Sequence, residues 1–515
     1  MSRPIRFTLA LCCFAALAQA HEPSTQSSPP PALGHIVFPT STHSAKAQDA
    51  FIEGMLLLHV FEYPSAAKAF QRAEQLDPEF AMAYVGEALS YTHPVWNQQD
   101  LAAGRAALAR LASTPAARAA KTPTERERGF LQLAEIEYGE GPKPERDLKL
   151  LAAAEALALR WPDDDEAQLA LSLALLGANE GERNLPRFLR AAEIAKAVYR
   201  RNPQHPGAAH FWIHGLDDPE HAAGALEAAH ALAKIAPGAG HSQHMTSHIF
   251  IALGMWQDVV DSNIAALRVV NEQQKADGQP LVACGHYPEW LQYAYFQQGR
   301  EREGFEMLHA CMRAATTAKA WMRAHPGEAW SGMKDPAAVQ ARLNGSLLRM
   351  RAAAIFESPE YRREASATEL GLGELARGDA GTLFADGLAQ AWNDEPARAR
   401  RELAALRALA AAPAAQGQES KYLPLMVQLL EAAIAQREGR GKTGLRKAAA
   451  AADAFDALPY DFGPPVLGMP PRELLGEMLL EAGRKTEAAT QFELALKSAP
   501  NRRRSLQGLQ RARSK

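Results

Sequence analysis

A chain of 515 residues with 47% hydrophobic content can bury several cores or one extended array. A net charge of −3 without a long basic run argues against a nucleic-acid partner, because phosphate recognition needs clustered Lys and Arg. Alanine is abundant and β-branched residues are sparse, which predicts an all-α protein.

Residues 1–20 read as a signal peptide. Arg3 and Arg6 supply a positive start, Phe7 to Ala18 a short apolar core, and Ala18-Gln19-Ala20 a small-x-small cleavage site. The apolar run is too short for a bilayer, and no other stretch is apolar enough, so no membrane span is expected after cleavage. Export to the periplasm or the exterior is the expectation. Cys12 and Cys13 lie in the apolar run, in a context that does not read as a lipoprotein site. Cleavage would expose His21 ahead of a Pro/Ser-rich linker, residues 21–44. That composition favours a tail over a copper-chelating terminus. Cys284 and Cys311 would remain, either paired in an oxidising compartment or free and buried.

A repeat begins near residue 45. Gly54, Ala66, Phe70, Ala73 and Pro78 stand at fixed offsets: small residues let two helices touch, Phe70 fills the joint, and Asp77-Pro78 ends the second helix. The pattern returns as Leu475, Gly476, Leu479, Gly483, Ala488, Phe492, Ala495 and Pro500. These positions resemble the tetratricopeptide repeat, a 34-residue pair of antiparallel helices. The resemblance implies a right-handed helical solenoid with a concave groove. Helical repeats are expected over 45–314, with a His-rich groove. The register is lost over 315–367, around Trp321, Trp330 and Gly332, where an irregular helical segment is expected. Helical repeats resume over 368–515, with linkers at Ala412–Ser420 and Arg437–Lys442 and a stiff loop at Tyr460–Pro471. Arg502 to Arg504 read as a solvated helix end.

The stretch His205 to Gly254 carries the chemistry. His210 and His214 are four apart, as are His244 and His248, and the second pair follows the first by one repeat length of 34 residues. Side chains at i and i+4 share a helix face, and two imidazoles so placed can hold one ion. Units closed by Pro203 and Pro237 put these histidines at the fifth and ninth positions. His241 and His286 fall second in their units, Glu289 fifth, and His59 and His93 thirteenth. The tetratricopeptide resemblance implies that all of these positions face the groove. His221, His230 and His309 fall on second helices and outside the set.

An all-imidazole set favours a divalent transition metal, copper or zinc, over magnesium or calcium. His210, His214, His241, His244, His248 and His286 are the candidate ligands. Asp217, Asp218 and Glu289 are candidates to join them as ligands or to orient their rings, and His59 and His93 are further candidates for the groove wall. Asp217-Asp218-Pro219 also reads as a helix cap, Glu62 as a solvated carboxylate, and Trp212, Trp256, Trp290 and Phe250 as packing between units. No Gly-x-Ser-x-Gly elbow and no phosphate-cradling glycine loop appears.

The block AAHFWIHGLDDPEHA with HSQHMTSHIFIALGMW, and the closing segment from FGPPVLGMPP, are similar to a group of uncharacterised exported bacterial tetratricopeptide proteins. That resemblance implies no activity. Three functions follow from the residues: a metal-binding or metal-dependent centre, a non-catalytic scaffold for a peptide or partner protein, and a pH-sensitive histidine switch.

Overall fold

The computed structural model describes residues 32–179, 183–359, 370–376, 378–412 and 421–514. The expected signal segment with Cys12 and Cys13, His21, the linker up to Pro31, and residues 413–420 lie outside these. Among the described residues, helix follows helix. The strands form one short antiparallel pair, Thr92–His93 with Gln98–Gln99. No described helix is long and apolar enough to cross a membrane.

The architecture is a solenoid of antiparallel helix pairs, and its joint is visible at both ends. Phe70 is fully buried between Gly54 of its own unit and Gly86 of the next. A Cβ added at either glycine would come within 2.4–2.6 Å of the ring. Phe492 sits likewise between Gly476 and Gly508. A side chain on those glycines would drive the helices apart, so the Gly and Phe spacing sets how closely successive pairs stack. Removing either ring would cost about 3–5 kcal/mol.

The segment in which the repeat register fades contains two regular, unusually long helices. Glu301–Ala324 has 24 residues and Pro336–Glu357 has 22. Between them the chain turns through the Trp330–Met333 bridge. Their length breaks the 34-residue period. Cys284 and Cys311 form a disulfide, with Cα atoms 4.7 Å apart. It pins the long connection before helix His286–Gln297 onto helix Glu301–Ala324.

The C-terminal arginines correct the sequence reading. Arg502 is fully buried and donates to both carboxylate oxygens of Glu473 at 2.8 and 2.9 Å, to Tyr293 Oη at 2.9 Å, and pairs with Glu357 at 2.6 Å. Arg503 pairs with Glu301 at 2.8 Å, and Arg504 donates to the Phe356 carbonyl. These residues tie the last unit to the His286–Gln297 helix and its neighbours. A buried guanidinium needs such a full set of acceptors.

Candidate metal centre

Three helices carry the site: Pro206–Gly215, Gly240–Ala252 and His286–Gln297. The first is buried along its whole length, and in the second every residue but His241 is buried. Four of the six imidazoles are therefore enclosed. His210 is 0% exposed, His214 3%, His244 0% and His248 2%. His241 is half-buried, and His286 lies exposed at the edge.

The enclosure comes from chain segments far away in sequence. The Phe462 ring lies 5.0 Å from His248, and Gly463 packs against the Trp290 indole. On the other side Phe61 sits 4.4 Å from His210 and 5.7 Å from His241, and Trp96 sits 5.9 Å from His241. Phe61 holds φ of +56°, an uncommon value for a bulky residue. Trp290 contributes more than packing between units: its ring lies 4.5 Å from His248 and 4.8 Å from His244.

The six histidines fall into two sets of three. One ring nitrogen from each of His210, His214 and His241 lies within 4.8 Å of the others, and the same holds for His244, His248 and His286. Each i, i+4 pair thus takes its third member from the second position of the following unit. The sets adjoin, with ring centres of His214 and His248 6.1 Å apart.

Hydrogen bonds to the far side of the rings determine which nitrogens face the centre. His210 Nδ1–H donates to the His59 carbonyl at 2.7 Å. His248 Nδ1–H donates to Asp217 Oδ2 at 2.5 Å. His244 Nδ1–H donates to Asn263 Oδ1 at 2.7 Å, and the Asn263 amide is oriented by its own donation to the Val259 carbonyl. In each neutral ring Nε2 is then left as a lone pair. Nε2 of His210, His214 and His241 are all buried without a hydrogen-bond partner. Nε2 of His244 and His248 face one another at 3.2 Å, two acceptors with no proton to share.

Burial pushes His210 down to about 3, despite the bond to the His59 carbonyl. His214, His241 and His244 are held well below the ordinary imidazole range, by burial first and by neighbouring imidazoles second. Neutral imidazole with a free lone pair is the ligating form for zinc and copper. Zn–N bonds of about 2.0–2.1 Å in a tetrahedral shell place two ligand nitrogens about 3.3–3.4 Å apart. The 3.2 Å separation of His244 and His248 is close to that spacing.

The other candidate residues lie elsewhere. His59 Nε2 contacts Glu166 Oε2 at 2.8 Å, and His205 Nε2 contacts Glu166 Oε1 at 3.2 Å. This third His/carboxylate cluster is closed on itself. Glu166 stays well below the carboxylate range because the two imidazoles outweigh its burial. His93 stacks on Tyr63 at 4.0 Å, outside both three-His sets. Glu289 does not orient an imidazole. Both of its oxygens accept from Arg349 at 2.9 Å. Asp217 does contact a ring, that of His248, while Asp218 caps the following turn and pairs with Arg183 at 2.8 Å. Glu62 is half-buried rather than solvated, and it accepts from the His241 backbone N–H at 3.2 Å at the start of a site helix. Burial raises its pKa.

Sequence reasoning missed Asn263, Phe61, Phe462 and the Glu166 cluster. Asn263 lies on a second helix and carries no motif. Phe462 comes from a loop more than two hundred residues away.

No family model and no curated protein matches the chain. Among solved structures, the chain is similar to the APC/C hetero-tetramer Cut9–Hcn1, with 11% identity over 91% of this chain and 76% of that one and a TM-score of 0.36. For yeast Tom70 the identity is 10%, over 91% and 88%, with a TM-score of 0.27. For the TPR domain of P58(IPK) it is 14%, over 91% and 97%, with a TM-score of 0.21. Likenesses at this level carry no argument, and the solenoid rests on the helix pairs and Gly–Phe joints described above.

Proposed function

We propose that this protein binds transition-metal ions, copper or zinc, at a centre of six imidazoles arranged as two adjoining sets of three. The observation that carries the reading is the group of buried, partnerless Nε2 atoms of His210, His214 and His241. Leaving a buried acceptor unsatisfied costs about 1–3 kcal/mol. An ion that accepts the three lone pairs would remove that penalty. Three protein ligands leave a tetrahedral ion one open position, the pattern of catalytic rather than closed structural sites. An ion so held would supply Lewis acidity and activate water, and copper, unlike redox-inert zinc, could also activate dioxygen. The residues around it fix ring tautomers through Asp217, Asn263 and the His59 carbonyl, and they exclude bulk water through Phe61, Trp290 and Phe462.

Export is part of the same proposal. The Cys284–Cys311 disulfide supports an oxidising compartment, as does the signal-like start of the sequence. A second reading, a scaffold for a peptide or partner protein, follows from the repeat architecture itself. Elemental analysis of protein purified from its native compartment separates the two. Stoichiometric copper or zinc supports the centre. A folded, metal-free protein that takes up neither ion on titration and captures a partner supports the scaffold.

A further inference from the structure

A cavity of about 120 Å³ has Phe61, the ring that packs on His210, in its wall. Its wall is apolar, formed by Met55, Leu58, Phe130, Leu133, Leu169 and Leu173 among others. Phe61 and Phe211 also line it, and both touch the His210 ring, with centres at 4.4 and 5.7 Å. Phe61 and Phe211 thus stand between the chamber and the His210 ring, while the His59 imidazole lines the chamber itself.

Its polar lining is almost wholly engaged. Thr92 donates to Glu137 at 2.8 Å, Lys143 to Asp147 at 2.7 Å, and His59 and Glu166 meet at 2.8 Å. Each charged group on the wall already has a partner within the chain, Glu137 through Thr92 and Gln99, so an ionic ligand would have to displace one of them. Tyr63 is the exception. It lines the cavity and is 7% exposed, and its hydroxyl is buried without a hydrogen-bond partner. Burial raises the Tyr63 pKa well above its ordinary value, which keeps the hydroxyl a donor.

We infer that this chamber binds a small neutral molecule with an apolar body and one oxygen acceptor, a carbonyl, ether or hydroxyl, that takes the Tyr63 hydrogen bond. Pockets of this kind combine apolar walls with a single orienting polar group. The volume is on the scale of an engineered protein cavity, about 150 Å³, that admits benzene. The inference does not depend on an ion being bound at the imidazoles.

The test is calorimetric titration of the metal-free full chain with phenol and, separately, with benzene. Phenol should bind saturably at one site and more tightly than benzene. Tyr63→Phe, which keeps the ring and removes the donor, should reduce the preference for phenol about fivefold and leave benzene binding in place. Ala170→Phe, which grows a half-buried wall residue into the chamber, should abolish binding of both. Circular dichroism checks that each variant is folded. Absence of saturable binding by the unaltered protein overturns the inference, as does an undiminished phenol preference in Tyr63→Phe. Unchanged affinity in folded Ala170→Phe places the ligand elsewhere and overturns it too.

Discussion

His248 Nδ1 and Asp217 Oδ2 lie 2.5 Å apart, both buried, and join two successive units of the solenoid. The carboxylate fixes the ring tautomer and aims Nε2 at His244. Such partners of metal-ligating histidines typically contribute 10–100-fold to metal affinity. Asp217→Asn should therefore weaken metal binding by about tenfold or more while leaving the fold intact. Competition against a chelator of known affinity measures this, and an unchanged affinity would detach Asp217 from the centre.

The two sets predict a stoichiometry. Alanine at both His210 and His214 should remove one equivalent of metal and leave the other. Alanine at both His244 and His248 should do the reverse, and changing all four should leave none. Elemental analysis of the three variants reads this directly. Complete loss from either double variant would instead indicate one shared ion.

Acid should destabilise the metal-free protein. His210 titrates near 3 when folded, against 6.5 for a free ring, and His214, His241 and His244 shift the same way. Below 6.5 the unfolded chain takes up protons that the folded chain refuses, so stability is complete above that pH and is lost as the pH falls toward 3. Each ring contributes up to about 1.4 kcal/mol per pH unit in that window. The melting temperature should fall steeply between pH 6.5 and 4, and less steeply in His214→Gln. A flat profile over that range would contradict the burial of these rings as neutral bases. Bound metal should be released over the same window, because protons compete for the same nitrogens.

The loop over the site offers a test of its cover. Gly463 has φ of +94°, and a Cβ there would lie 2.5 Å from the Trp290 ring. Gly463→Ala faces both backbone strain and overlap, and should cost about 1–3 kcal/mol locally. We expect faster metal exchange with little change in helix content, measured by stopped-flow chelation and circular dichroism. Exchange at the unaltered rate would show that the loop does not guard the ions.

How much of this was legible beforehand depends on the range of the interaction. The solenoid was readable from Gly54 with Phe70 and from Gly476 with Phe492, because a helix joint needs a small residue opposite a large one at a fixed local spacing. The i, i+4 imidazole pairs and their shared phase from unit to unit were readable for the same reason: helical periodicity is a local property of the chain. The pairing of Arg502 with Glu473 was not, and a run of three arginines read as solvent-facing.

Sequence by itself therefore determined the helical repeat, the placement of histidines on the first helices, and the chemistry such rings bring. Tertiary structure alone decided that His241 joins His210 and His214 while His286 joins His244 and His248. It also decided that His59 turns to Glu166, that Glu289 turns to Arg349, and that Phe61 and Phe462 close over the rings. The physical reason is that these outcomes depend on how far one helix is displaced along the next and on loops returning from distant parts of the chain. Neither leaves a period in the residue pattern.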